Sequence, residues 1–71
     1  MFNKYKLRGK MAERGITNEK MATSLGINPA TLYRKTAGES EFTRAEIQQI
    51  SVLLALTMQD VKDIFFAEEL A

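Results

Sequence analysis

The tightest constraint on this chain is the break at Gly26-Ile27-Asn28-Pro29, inside the stretch 17–38. Ahead of it, Thr17 is an N-cap residue type followed by charged residues in the first turn. Met21, Ala22 and Leu25 then make an i, i+1, i+4 apolar stripe, which a helix places on one face. Gly26 ends that helix, because Gly takes the left-handed conformation at a helix C-terminus without a Cβ clash. Asn28 caps a second helix, and Pro29 fits its first position, where a missing N–H costs nothing. Leu32 is the one clear core residue of this second helix. The helices cross steeply, so the position facing the crossing must be small, which Ala22 satisfies. Leu25, Ile27 and Leu32 close an apolar wedge that holds the second helix at a fixed angle. The pattern predicts a helix-turn-helix over about 17–37. An ordinary helical hairpin in a bundle is the bland alternative.

The rest of the chain supplies a scaffold for that pair. A first helix is predicted over about 4–14, capped by Asn3 and ended by Gly15, with Leu7 and Met11 facing the core and Phe2 and Ala12 beside them. Ile16 precedes the Thr17 cap as in a hydrophobic staple. The second and third helices run over 18–25 and 29–36, and 37–41 is a loop. Thr43 and Glu46 read as a capping box, with Phe42 and Ile47 as a staple across it. Ile47, Ile50, Ser51 and Leu54 mark the buried stripe of a fourth helix ending near Ala55. Thr57 with Asp60 repeats the cap signal for a fifth, whose stripe is Val61, Ile64 and Phe65. No segment alternates with strand period, so the fold class is all-α with five helices in one domain, 1–71. The predicted core is Leu7, Met11, Met21, Ala22, Leu25, Ile27, Leu32, Ile47, Ile50, Leu54, Leu56, Val61, Ile64 and Phe65.

Composition removes several function classes. The 71 residues include no Cys and no His. A disulfide framework, a thiolate metal site, the commonest zinc ligand and the commonest general base are all missing. No catalytic residue, cofactor or metal is expected; only paired carboxylates remain, and Glu68-Glu69 sits near the C-terminus. A chain this short is expected to lack room for an effector pocket, so no small-molecule ligand is expected either. Lys4, Lys6, Arg8 and Lys10 have no apolar run behind them, so they do not form a signal peptide. The longest apolar run, 52–56, is too short to span a membrane. These features predict a cytoplasmic protein.

The formal net charge of +1 hides a division. Residues 1–38 carry eight basic side chains (Lys4, Lys6, Arg8, Lys10, Arg14, Lys20, Arg34, Lys35) against two acids, Glu13 and Glu19. Residues 39–71 carry two, Arg44 and Lys62, against seven acids. A basic half that also bears the crossing helices has the electrostatic character of a phosphate-binding face. Solvated helix faces are the alternative.

The spacing from Ala22 four on to Gly26 and six on to Leu32, with apolar Met21, Leu25 and Ile27, resembles the phage repressor/Cro-like helix-turn-helix family. It is most similar to the xenobiotic-response-element-type regulators of Gram-positive phages and mobile elements. The likeness extends to Leu54-Ala55-Leu56-Thr57-Met58-Gln59-Asp60-Val61, which looks like the family's joint between helices 4 and 5. Three departures stand out. Ala55 occupies a position where the family commonly has Gly. Lys35 occupies a position usually apolar, so its stem packs while its charge reaches solvent or phosphate. Met11 and Thr36 stand where many members pair a basic with an acidic residue; both partners are absent together.

The resemblance implies a five-helix lambda-repressor-like domain that binds a double-stranded DNA operator as a transcriptional regulator, Cro-like or a small phage repressor. It would act on the nucleoid of a bacterial host. With Leu32 inward, the residues facing a major groove are Asn28, Pro29, Ala30, Tyr33 and Arg34, with Thr31 and Lys35 at the borders. Arg34 suits guanine, and Ala30 and Thr31 offer methyl contacts to thymine. Asn28 is either an adenine contact or a helix cap. Tyr33 reaches a phosphate or base, or packs on the surface. The phosphate candidates are Thr17 and Asn18, at a helix N-terminus, with Lys10, Lys20 and Lys35; Lys10 and Lys20 are equally readable as solvated. Phe65, Phe66 and Leu70 form a candidate homodimer seam, with burial in the core as the alternative for Phe65. A second reading, from another class, is a protein-interaction module, an antitoxin or adaptor using the same fold through its acidic, apolar C-terminal half.

Overall fold

The computed structural model describes residues 2–67. Among these are five helices and no strand: α1 (Lys4–Arg14), α2 (Asn18–Leu25), α3 (Pro29–Thr36), α4 (Arg44–Leu53) and α5 (Met58–Phe65). Every helix starts where a short polar side chain satisfies amides that have no partner within the helix. Asn3 Oδ1 accepts the Lys6 N–H at 3.1 Å, and Thr17 Oγ1 accepts the Lys20 N–H at 3.1 Å. Asn28 Oδ1 accepts from both Ala30 (2.8 Å) and Thr31 (3.3 Å). Thr43 with Glu46 and Thr57 with Asp60 are full capping boxes, each side chain bonded to the other's backbone N–H.

The ends follow one pattern. At α2 the Gly26 N–H donates to the Thr23 carbonyl (3.1 Å) and the Ile27 N–H to that of Ala22 (3.0 Å), with Gly26 at φ +69°. This two-bond closure is a Schellman motif, which needs a left-handed residue in its middle. At α4 the Ala55 N–H donates to Val52 (3.2 Å) and the Leu56 N–H to Ser51 (2.9 Å), and the left-handed residue is Ala55 at φ +52°. That turn is why α4 ends at Leu53 rather than near Ala55. Arg14 Nε donates to the Leu54 carbonyl at 2.9 Å, satisfying one more acceptor at the end of α4 from across the fold.

The buried core is Leu7, Met11, Met21, Ala22, Leu32, Ile50, Leu54, Ile64 and Phe65, all expected from the helical stripes. Leu25, Ile27, Ile47, Leu56 and Val61 are half-buried against it rather than enclosed. Ala12 is exposed, not beside the core; one position past Met11 is about 100° round the helix, which turns it to solvent. α2 packs on both α3 and α4, while α1 packs on α5 and α5 on α4.

An aromatic trio closes the other side. The rings of Phe2, Phe42 and Phe65 lie 5.3, 5.8 and 5.6 Å apart, a separation at which tilted and edge-on pairs attract. The Asn3 N–H donates to the Ile64 carbonyl at 2.7 Å beside them. Phe65, at 7% exposure, is therefore core, which corrects its place in the candidate dimer seam. Phe66 is 56% exposed, and Leu70 lies outside the described residues. Met11 is buried, and Thr36 Oγ1 donates back to the Leu32 carbonyl at 2.6 Å. Neither leaves a charge without a partner.

Candidate nucleic-acid interface

α3 is held by one side and open on the other. Leu32, at 2% exposure, is its only buried residue. Asn28, Pro29, Ala30, Tyr33 and Arg34 are exposed, and Thr31 is half-buried. These are the six residues expected to face a groove: Ala30 and Arg34 lie about 160° and 200° round from Leu32, Thr31 and Tyr33 flank them, and Asn28 and Pro29 are exposed at the helix N-terminus. Tyr33 is 62% exposed. Arg34 Nη2 lies 3.4 Å from Thr31 Oγ1, a long contact that leaves most of the guanidinium fork free.

Asn28 acts as a cap. Its Oδ1 uses both lone pairs on the Ala30 and Thr31 amides, so only the Nδ2 donor is left over. A two-bond contact to adenine needs an acceptor as well as a donor, and here the acceptor is engaged.

The phosphate candidates divide by what already holds them. Asn18 and Lys20 are exposed at the start of α2, beside Thr17, whose hydroxyl oxygen caps the helix. Lys10 is held between two carboxylates, Glu13 Oε2 at 3.7 Å and Asp60 Oδ2 at 3.6 Å. Lys6 pairs with Asp63 at 3.7 Å, so α1 and α5 are laced by charge. Lys35, expected to send its charge to solvent or phosphate, has its ammonium engaged within the protein. Its stem packs, but Nζ lies 2.9 Å from Glu46 Oε1 and 3.1 Å from the Glu41 carbonyl oxygen, and 5.9 Å from the centre of the Phe42 ring.

Two carboxyls feel these partners. Burial pushes Glu46 up, but the Thr43 N–H and the Lys35 ammonium outweigh it and hold the carboxyl below its ordinary pKa. The Thr57 N–H lowers Asp60, against a partial desolvation, with Lys10 adding to the effect.

The Lys35–Glu46 pairing and the ring trio are the parts of this region that helical spacing does not reveal. The signal for Glu46 was present in Lys35 itself, a charge at a position where the stripe asks for an apolar residue. Among the described residues no helix is long and apolar enough to cross a membrane. Comparison with curated proteins returns no match. Residues 6–65 match the Cro/C1-type HTH DNA-binding domain, a span running from within α1 to the end of α5. It takes in the helix pair, the core beneath it and the open face of α3, and the chain belongs to the Cro/C1-type helix-turn-helix DNA-binding family.

Proposed function

We propose that this chain is a sequence-specific regulator of transcription, of the Cro-like or small phage-repressor kind, that reads the major groove of duplex DNA with α3. One observation carries the reading. The exposed side of α3 offers groups that match base edges and are not committed elsewhere, while Leu32 fixes the opposite side. Arg34 bonds guanine O6 and N7 together, Ala30 and Thr31 meet thymine methyls, and small Ala30 lets the backbone come close. Tyr33 reaches a base or the neighbouring phosphate. Asn28 keeps α3 in place and offers only the N–H donors of its Nδ2. The N-terminus of α2, with Thr17, Asn18 and Lys20, takes the phosphates that set register. Lys10 and Lys35 stand outside the contact set, because carboxylates already hold them.

The chain acts as one domain over 1–71, in the bacterial cytoplasm on nucleoid DNA, by occupying an operator. It binds as a symmetric dimer with half-sites about 34 Å apart, and Phe66, 56% exposed, remains the described apolar residue of the expected seam. The test is a binding selection on random duplexes with the parent, Arg34→Ala and Arg34→Lys. Arg34→Ala should lose about 1–3 kcal/mol at the selected site and flatten one base pair per half-site. Arg34→Lys should recover discrimination only in part, because a point charge lacks the planar fork. If both variants return the parent's site with equal preference at every position, Arg34 does not read sequence. Binding that ignores salt would instead favour a protein partner.

A further inference from the structure

α2 is the one helix against which α3 packs closely, and Leu32 is the one buried side chain that α3 contributes. A helix pinned at a single point can rock about it. A second hold lies one turn further on. The Lys35 ammonium meets Glu46 Oε1 at 2.9 Å, and the two charged side chains are only 11% and 12% exposed. Glu46 is itself fixed, since the same Oε1 accepts the Thr43 N–H at 2.8 Å. The last turn of α3 is thus tied to the first turn of α4 through a carboxylate that cannot rotate without giving up its half of the capping box. Phe42 beneath the ammonium and the Glu41 carbonyl oxygen beside it complete the seat.

We propose that the Lys35–Glu46 pair is a positioning device for base reading: it sets the tilt of α3 on α2, and so the aim of the adjacent Arg34, without touching DNA. The proposal rests on the reading of α3 given above. Base-reading groups tolerate about 0.5 Å and 10–20° of misplacement before their bonds weaken. A rocking motion about Leu32 moves the guanidinium of Arg34 on that scale. An apolar side chain at position 35 would fill the same space, but a charge-assisted bond also fixes direction. Exchanging a largely buried ion pair for apolar or neutral groups is often close to neutral in stability. The effect of the pair should therefore appear in discrimination rather than in melting.

The experiment compares the parent with Lys35→Met, Glu46→Gln and the double variant. Gln at position 46 still accepts the Thr43 N–H, so α4 keeps its cap. Thermal melts establish folding, and affinities are measured on the selected duplex and on a random duplex across salt. The double variant should melt near the parent, bind random duplex as well as the parent does, and lose about 2- to 100-fold in preference for the selected site. Glu46→Gln frees the Lys35 ammonium for a phosphate, so its log–log salt slope should steepen by about one. Lys35→Met should leave the slope unchanged. A slope shallower by about one in Lys35→Met would make Lys35 a phosphate contact and overturn the proposal. A folded double variant that keeps the parent's preference would overturn it too; should the double variant not fold, Glu46→Gln decides on the same preference. If the parent selects no site, base reading by α3 falls and this proposal with it. If the parent selects a site and the variants keep it, only the positioning role falls.

Discussion

Replacing Ala55 by Gly should stabilise this protein, against the usual ranking of the two residues near helices. Ala55 is the left-handed member of the closure at the end of α4, at φ +52°. A residue with a Cβ pays about 1–2 kcal/mol there. Gly removes that strain but loses about 0.5–1 kcal/mol more backbone freedom on folding. Ala55 is exposed, so its methyl group takes no buried area with it. About 0.5–1 kcal/mol should remain in favour of Gly. In a domain of this size each kcal/mol moves the midpoint by about 4–8 °C, so Tm should rise by about 2–8 °C. Gly26→Ala is the mirror experiment. Gly26 has φ +69°, and nothing lies within 4 Å of where a Cβ would sit. Its cost should be the backbone term alone, similar in size and opposite in sign. Thermal melts followed by circular dichroism, with urea midpoints at an unchanged m-value, measure both. A lower Tm in Ala55→Gly, or an unchanged one in Gly26→Ala, would refute the reasoning, because the strain would then not lie in the left-handed backbone.

Leu32→Ala removes the only buried side chain of α3 and should cost about 2–5 kcal/mol, a large part of a small domain's stability; a melt like the parent's would mean that Leu32 is not core. Lys20→Ala should weaken all duplexes alike and make the log–log salt slope shallower by about one, whereas Lys10→Ala, already paired with Glu13 and Asp60, should leave the slope unchanged. Glu46 and Asp60 both have lowered pKa values when folded, so the unfolded chain takes up their protons first. Stability should hold above the ordinary carboxylate range, near about pH 4, and fall as pH drops through the lowered folded values. Acid melts of Glu46→Gln and Asp60→Asn should show a flatter decline than the parent.

What the sequence disclosed was local. Thr17, Asn28, Thr43 and Thr57 announce helix starts because a cap is decided within three residues. Leu7 with Met11, and Ile50 with Leu54, announce the core because helical period is a short-range property. The outward set on α3 follows from Leu32 by the same geometry. What stayed hidden joins residues far apart in the chain. Nothing in spacing says that Lys35 finds Glu46, that Lys10 finds Asp60, or that Arg14 reaches the Leu54 carbonyl. Phe65 was legible as one of a stripe, but its use in the trio rather than in a seam depended on Phe2 and Phe42 arriving from elsewhere. The exposed positions of α3 were therefore readable and the partners of the lysines were not, since a lysine's count is local while its partner is not.

The Phe2–Phe42–Phe65 trio has a kinetic meaning. Its three rings come from the start of the chain, the loop between α3 and α4, and the end of α5, so assembling it joins Phe2 to Phe65 across nearly the whole described chain. Closure entropy must be met before those contacts return anything, whereas caps and Schellman turns form among neighbours. The trio is therefore expected to form late, after the folding transition state. Loosening it, as Phe2→Leu would, hastens unfolding and leaves refolding at its former rate. Because Phe42 also lies beneath the Lys35 ammonium, loosening the trio should also loosen one wall of the seat that holds the last turn of α3. The hold on the last turn of α3 is thereby linked to Phe2 and Phe65, which come from the two ends of the fold.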